Sequence, residues 1–335
     1  MFMDSMFLPL ALIIFASIFQ GSFGLGMKFM APLKWEAWWL VHATVAMLLF
    51  PLTWALLVIP DLFEIIVSVP TNVLLLAMLF GFLWGIGGIM FGKSIPYIGI
   101  SLTYGIVMGL ASSAGSLIPL FQIEEASSIP AFPYIIGGVV VMLVGVAITA
   151  YAGIQRDKQS TENRVKNLKL GLFIAITSGV LSALLNVGFA NASPVAAEAA
   201  LHNVATRNSS LAAWVVVLFG AYIMNAGYSV VLLTRNKSWS SFAVAKSGKA
   251  YTWSIVAGLC WFAALGVYGQ GAALMGEMGP VIGWPILLGL SLIISNIWAY
   301  INKEWKGAKK AFVWLLVGLL VLIVASTILG FANSL

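Results

Sequence analysis

Gln20 and Ser22, Trp84, Tyr97 and Tyr104, Asn186 and Asn191, Asn225 and Tyr228, Trp261, Tyr268 and Gln270, and Trp284 and Asn296 carry amides, hydroxyls or broad aromatic faces inside stretches that are otherwise almost free of polarity. This mixture suits a sugar. An aromatic face meets the C–H surface of the ring, while amides and hydroxyls reach the rim of hydroxyl groups. An Asn inside an apolar helix serves equally well for helix-to-helix hydrogen bonding, and that reading stays open for Asn191 and Asn225. Trp38, Trp39 and Trp239 fall near the ends of apolar stretches and read as interfacial anchors. Trp84 and Trp261 lie too deep for that role.

Groups that can carry charge in lipid are few. Candidates for moving a proton are His42, Glu36, Glu198 and Glu277, with helix capping or surface solvation as the plainer reading of each carboxylate. No arginine is expected to be buried, and Lys28 and Lys93 lie where their heads can reach the aqueous boundary. A phosphorylated cargo would need a buried cation, so the cargo is expected to be neutral. One cysteine, Cys260, and two histidines leave no soft or imidazole cluster for a metal, and no cofactor is expected. Gly87, Gly92, Lys93 and Ser94 fit the phosphate-loop pattern, but they fall inside an apolar span whose amides are committed to the helix, not in a strand-to-helix turn. Without a Ser/His/Asp set or paired carboxylates in one span, the chain is not expected to be an enzyme.

The elements that must position these groups follow from composition. Hydrophobic residues make up 61% of the 335 positions and charged ones 8%, and the mean hydropathy is +1.02. No water-soluble fold covers that much apolar surface with so little polarity. Ten stretches are long enough to cross a hydrocarbon core of about 30 Å. They lie near 7–29, 37–59, 72–92, 96–120, 132–154, 168–191, 210–234, 250–274, 278–301 and 311–332, and are called spans 1 to 10. Sixteen of the 17 Lys and Arg residues fall in the gaps after odd-numbered spans, and only Arg207 falls on the other side. Basic loops stay in the cytoplasm. The acidic pairs Asp61/Glu64 and Glu124/Glu125 and both termini are therefore expected outside. The net charge of +6 is a topology signal spread over short loops, so no nucleic-acid partner is expected. Span 1 is preceded by Asp4 and lacks a small-residue cleavage site, and it is read as an uncleaved span.

The chain also repeats itself. Gly81, Trp84, Phe91, Gly92 and Gly99 recur 177 positions later as Gly258, Trp261, Tyr268, Gly269 and Gly276. These are the third spans of two sets of five. The expected fold class is an all-α membrane protein of ten transmembrane helices arranged as a five-plus-five inverted repeat, with residues 1–154 as the first half, a cytoplasmic connection at 155–169 and residues 170–335 as the second. An odd number of spans sends the second half in from the opposite face, the architecture of transporters that open a midplane site alternately to either side. Trp84 and Trp261 occupy matching places and are expected to meet around a central cavity. Stripes of small residues, Ser101, Gly105, Gly109 and Ser113 in span 4 and Gly81, Gly85, Gly88 and Gly92 in span 3, allow close helix approach.

Three stretches together resemble the L-rhamnose:proton symporter family within the drug/metabolite transporter superfamily: GSFGLGMKFMAPLKWEAWW from Gly21, GFLWGIGGIMFGKSIPYIGISLTYGIVMGLASSAGSLIPL from Gly81, and NKEWKGAKK from Asn302. The resemblance runs through nearly the whole chain. It implies ten spans with both ends outside, residence in the bacterial inner membrane, and uptake of a 6-deoxyhexose, L-rhamnose, driven by protons. By the same resemblance Trp84, Tyr97, Tyr104, Asn191, Trp261 and Trp284 are cavity residues and Glu198 a coupling residue. Two other readings stay open: transport of another small metabolite such as a uronate or another sugar, with either protons or sodium as the coupling ion, and a membrane sensor or assembly protein that transports nothing.

Overall fold

The computed structural model describes residues 2–158 and 167–335, with side chains described from residue 7 onward. Arg164 and Lys166, in the expected connection, lie outside the described residues. The described chain is helical, with ten helices long and apolar enough to cross a membrane: Phe7–Phe29, Trp35–Val58, Thr71–Ile98, Ile100–Gln122, Phe132–Asp157, Leu168–Leu201, Thr206–Arg235, Gly248–Leu274, Gly279–Ile301 and Lys309–Ala332. These are spans 1 to 10 as observed. Leu57, Phe173, Val231 and Leu320 stand exposed around the outside. Lipid is the solvent in which such a surface costs nothing.

Three boundaries differ from the sequence reading. Span 3 does not stop near 92 but runs to Ile98, so Tyr97 belongs to its last turn and not to span 4. Pro96 is tolerated inside that helix, and the stop comes at Gly99, whose φ of +81° only glycine adopts without strain. Gly87, Gly92, Lys93 and Ser94 accordingly run within continuous helix. Span 6 breaks at Ala192 and resumes as Ser193–Leu201, which puts Glu198 on a helix instead of in a loop. Span 7 begins at Thr206, about one turn earlier than expected, drawing Ser209 and Ser210 into the helix. Two spans also carry a local π-helical turn, Val45–Leu49 in span 2 and Gly279–Gly283 in span 9.

Ends that follow odd-numbered spans gather on one face. Lys28 after span 1 pairs with Glu304 after span 9 at 2.7 Å, and Arg156 at the end of span 5 approaches Glu304 at 3.7 Å. Glu36, at the start of span 2, accepts hydrogen bonds from Ser238 Oγ at 2.6 Å and Asn236 Nδ2 at 3.1 Å after span 7. Arg156 is more covered than expected: its guanidinium lies over Trp305 at 4.9 Å and bonds Asp157 at 3.0 Å. On the opposite face the short helix Leu62–Ser68 packs on Ser193–Leu201. Because the first face carries the lysines and arginines, it is the basic face below.

Within the bundle span 3 packs on spans 6 and 7, span 8 on spans 1, 2 and 7, span 4 on spans 5, 6 and 9, and span 9 on spans 1 and 10. Spans 5 and 10 pair along their length, as do spans 2 and 7. Small residues make the closest crossings. The span 4 stripe meets span 5, where Gly105 faces Ala150 and Gly109 faces Leu143 and Val146. The span 3 stripe divides, with Gly81 and Gly85 against span 7 and open space beside Gly88 and Gly92.

Candidate functional site

Away from the basic face, a cavity of about 1060 Å³ opens among the ends of spans 4, 6, 7, 8 and 9. That is ample for a monosaccharide with water around it. Its polar wall comprises Gln122, Glu124, Asn191, Ser193, Thr206, Ser209, Ser210 and Glu277, and its apolar wall includes Pro119, Phe189, Ala213, Ala272 and Pro280. Asn191 Nδ2 donates to Val187 O at 2.8 Å and lies 3.4 Å from Gln122 Oε1. Ser209 and Ser210 donate back to the carbonyls of Thr206 and Arg207, at 2.7 and 3.0 Å. With its hydrogen so engaged, each hydroxyl keeps acceptor lone pairs, which match the O–H donors of a polyol.

Phe189 floors the cavity, with further aromatic rings packed behind it. Phe189 stacks on Trp214 at 4.4 Å, and Tyr268 stands 5.8 Å from Phe189 and 5.5 Å from Trp284. An amide clasps this layer together. Tyr268 OH donates to Asn186 Oδ1 at 2.6 Å, while Asn186 Nδ2 donates to Gly115 O at 2.8 Å and Pro280 O at 2.9 Å. Trp284 Nε1 donates to Ala111 O at 3.0 Å. Spans 4, 6, 8 and 9 therefore meet at one polar knot in the hydrocarbon. Two turns further in along span 8, roughly 10 Å by helix geometry, Trp261 meets Trp84 with ring centroids 5.3 Å apart.

The knot makes a checkable demand on stability. Asn186→Ala strands Tyr268 OH and two buried carbonyls. With side-chain hydrogen bonds in membrane proteins worth about 0.6 kcal/mol on average, the three together predict a loss of about 2 kcal/mol. Tyr268→Phe alone is expected to cost less than half of that, and to add nothing in the Asn186→Ala background. Reversible unfolding in mixed micelles measures all three variants; full additivity would show that the two residues do not act as a unit.

The remaining expected site residues are spread through the bundle. Gln270 donates to Asn208 at 3.1 Å, bridging spans 7 and 8 near the cavity mouth. Glu277 lines that mouth, whereas Glu198 does not line it and stands 3.8 Å from His202, just past the end of its short helix. Toward the basic face, Ser22 accepts from Trp298 Nε1 at 2.9 Å, Asn296 donates to Leu292 O, and Gln20 Oε1 is buried without a partner. Tyr104 packs on Phe91, and Tyr97 packs against Gly171 of span 6. Asn225 accepts from Trp39 Nε1 at 3.0 Å, and the ring of Trp39 lies 4.8 Å from that of His42.

Of the expected set, Asn191 and Glu277 line the cavity, Asn186, Tyr268 and Trp284 form a buried layer behind its Phe189 wall, and Trp84 meets Trp261 near the middle of spans 3 and 8. The two tryptophans touch; the cavity itself lies nearer the acidic ends. Gln122, Phe189, Thr206, Ser209 and Ser210 were not singled out from sequence, and Glu124 only as half of an outward-facing acidic pair. The adjacent serines opening span 7 were the available signal, since polar residues at a helix start invite a solvated reading.

Residues 6–334 match the family described as L-rhamnose-proton symport protein (RhaT). The chain is 30% identical over 318 residues to the L-rhamnose-proton symporter of Yersinia pestis (strain Pestoides F), a match covering 90% of this chain and 92% of that one. The L-rhamnose-proton symporter of Yersinia pseudotuberculosis serotype O:1b (strain IP 31758) matches to the same extent, 30% over 318 residues.

Proposed function

The chain belongs to the L-rhamnose-proton symport family, whose members are membrane transporters and not enzymes, and we propose that it carries L-rhamnose inward together with a proton by alternating access. The cavity is the observation that carries this reading. Acceptor hydroxyls and an amide lie above an aromatic floor, the complement of a small neutral polyol. The carboxylates of Glu124 and Glu277 at the same wall oppose an anionic cargo, which favours a neutral sugar over a uronate.

The orientation follows from charge. With the basic face in the cytoplasm of a bacterial inner membrane, both termini and the cavity face outward, and the structure is an outward-open state. An inverted repeat of residues 1–154 and 170–335 is supported by the packing. Advancing each span number by five turns the 3–6 contact into 8–1, 3–7 into 8–2, 4–6 into 9–1 and 4–5 into 9–10, while 5–10, 2–7 and 4–9 map onto themselves. The contacts of spans 7 and 8, 6 and 7, 6 and 9, and 5 and 9 have no counterpart of like extent. Two halves related in this way can rock about the midplane, where Trp84 and Trp261 meet.

Uptake of labelled L-rhamnose into proteoliposomes under an imposed inward proton gradient tests the proposal. Accumulation above equilibrium, abolished by a protonophore, is expected. Asn191→Ala removes one amide from the cavity wall and is expected to weaken half-saturation about five- to tenfold, the worth of one hydrogen bond of about 1–1.4 kcal/mol. Correctly inserted protein that accumulates no rhamnose, but does accumulate a uronate, another sugar, or rhamnose only under a sodium gradient, would replace the proposal with that cargo or ion.

A further inference from the structure

Among the described residues, His42 is the one His, Asp, Glu, Lys or Arg enclosed in a span away from its first or last turn, at 1% exposure. Its ring lies parallel to that of Trp38 at 5.4 Å, with Trp39 at 4.8 Å and Phe23 of span 1 at 6.2 Å. Nδ1 has no hydrogen-bond partner, while the backbone of Ser254 on span 8 is the polar group that reaches the ring. A histidine kept only to hold helices together would have that nitrogen bonded, because an unpaired polar atom in a dry interior is a standing cost. In the tautomer with its hydrogen on Nε2, Nδ1 offers a free lone pair.

No charged group faces the ring from the elements around it. On span 1, Lys28 is paired with Glu304. On span 2, Glu36 is bonded to Ser238 and Asn236. On span 8, Lys249 lies over Phe29, Tyr251 OH donates to Phe242 O and Tyr268 OH donates to Asn186 Oδ1, which leaves the thiol of Cys260 as the other titratable group there. On span 7, Arg207 and Arg235 lie at the two ends, and Tyr222 and Tyr228 are the titratable groups between them. A fixed carboxylate partner would hold a proton on the imidazole in every state of a transport cycle. A ring without one can take a proton up and give it back.

The surroundings also tie the ring to the midplane pair from both sides. Trp39, which covers His42, donates to Asn225, and Asn225 packs against Gly85, the residue after Trp84. Gly258, one turn before Trp261 on span 8, packs on the carbonyl of His42 and on Val45, where a methyl group would come within 3.0 Å of each. The π-helical turn of span 2 begins three residues after His42, a local irregularity that lets a helix shift register.

We infer that His42 carries the coupling proton. The proton adds to the free ring nitrogen to give imidazolium and later leaves to water on the cytoplasmic side, with no other bond made or broken. Movement of Trp39 and span 8, coupled to separation of Trp84 from Trp261, opens the ring to solvent. This inference rests on the symport reading.

The test compares wild type with His42→Gln in proteoliposomes, following rhamnose exchange without a gradient and the alkalinisation of the medium that accompanies rhamnose uptake. His42→Gln is expected to keep rhamnose exchange while rhamnose-linked proton uptake falls at least tenfold. Proton uptake retained by the variant in the wild-type ratio would overturn the inference alone. A wild type that carries rhamnose without protons would overturn the symport reading and the inference with it. Should the glutamine variant fail to fold, His202→Ala leaves His42 as the sole imidazole, since the chain has two histidines, and ring-labelled histidine then reports on it directly by NMR. Rhamnose added at fixed pH is expected to change the protonated fraction of that ring. A ring unchanged over about pH 5–8, with and without rhamnose, would overturn the inference.

Discussion

Gly220→Ala is expected to leave little folded protein in detergent, while Gly88→Ala, on the span that Gly220 crosses, should behave as wild type. Spans 3 and 7 cross at Gly81 and Gly220. A methyl group on Gly220 would fall inside the envelope of the Met78 carbonyl oxygen, and one on Gly81 would fall inside that of Val217. The obstructing atoms are backbone, so no side chain can rotate away and the helices themselves must separate. Overpacking ordinarily costs about 1–3 kcal/mol and occasionally more, and two rigid helices put this site at the upper end. Separation also loosens Gly85 from Asn225 one turn further along, so what remains folded should transport poorly. Gly88 meets nothing within 4 Å. Size-exclusion profiles and thermal unfolding of the two variants, purified side by side, decide the matter. A Gly220→Ala protein as stable as its parent would mean that spans 3 and 7 do not cross this closely.

The contrast between these two glycines shows what a sequence can and cannot give. A stripe of Gly81, Gly85, Gly88 and Gly92 says that one side of span 3 is small, but which of its members touches a neighbour depends on the crossing angle. The ten spans, and the grouping of their basic ends on one face, were legible because length, hydropathy and charge are local properties. The kinship with rhamnose symporters was legible in the stretches from Gly21, Gly81 and Asn302, and the matched region extends over residues 6–334. Contact between Trp84 and Trp261 followed from matching offsets in two halves. The cavity was not legible. Ser209, Ser210 and Phe189 line it only because span 7 starts at Thr206 and the ends of five spans splay apart there, which no single-helix pattern encodes. Asn186 and Tyr268 look in sequence like sugar ligands, yet they satisfy one another, because a buried amide takes the nearest partner that removes its desolvation cost. Tyr97 falls in span 3 and not in span 4 because the helix runs on through Pro96 and stops at Gly99.

Trp261→Ala is expected to abolish accumulation of rhamnose above equilibrium while leaving downhill exchange intact. The two indoles meet at 5.3 Å near the middle of spans 3 and 8, with the aromatic floor of the cavity on one side. On the other side Gly88, one turn further along the same face of span 3, is exposed. A pair so placed, between the cavity and the basic ends of the spans, works as a septum. Removing one ring leaves a gap through which sugar passes without completing the coupled cycle, so the gradient is dissipated as fast as it drives uptake. An aromatic pair adds about 0.5–1.5 kcal/mol beyond the area it buries. The double variant Trp84→Ala/Trp261→Ala should therefore be little worse than either single one, in transport as in stability. Trp261→Phe keeps a ring in place and should retain part of the accumulation. If Trp261→Ala instead folds normally yet loses exchange and accumulation together, the indole touches the sugar directly, and the septum must be sought in the layer of Phe189, Trp214 and Tyr268.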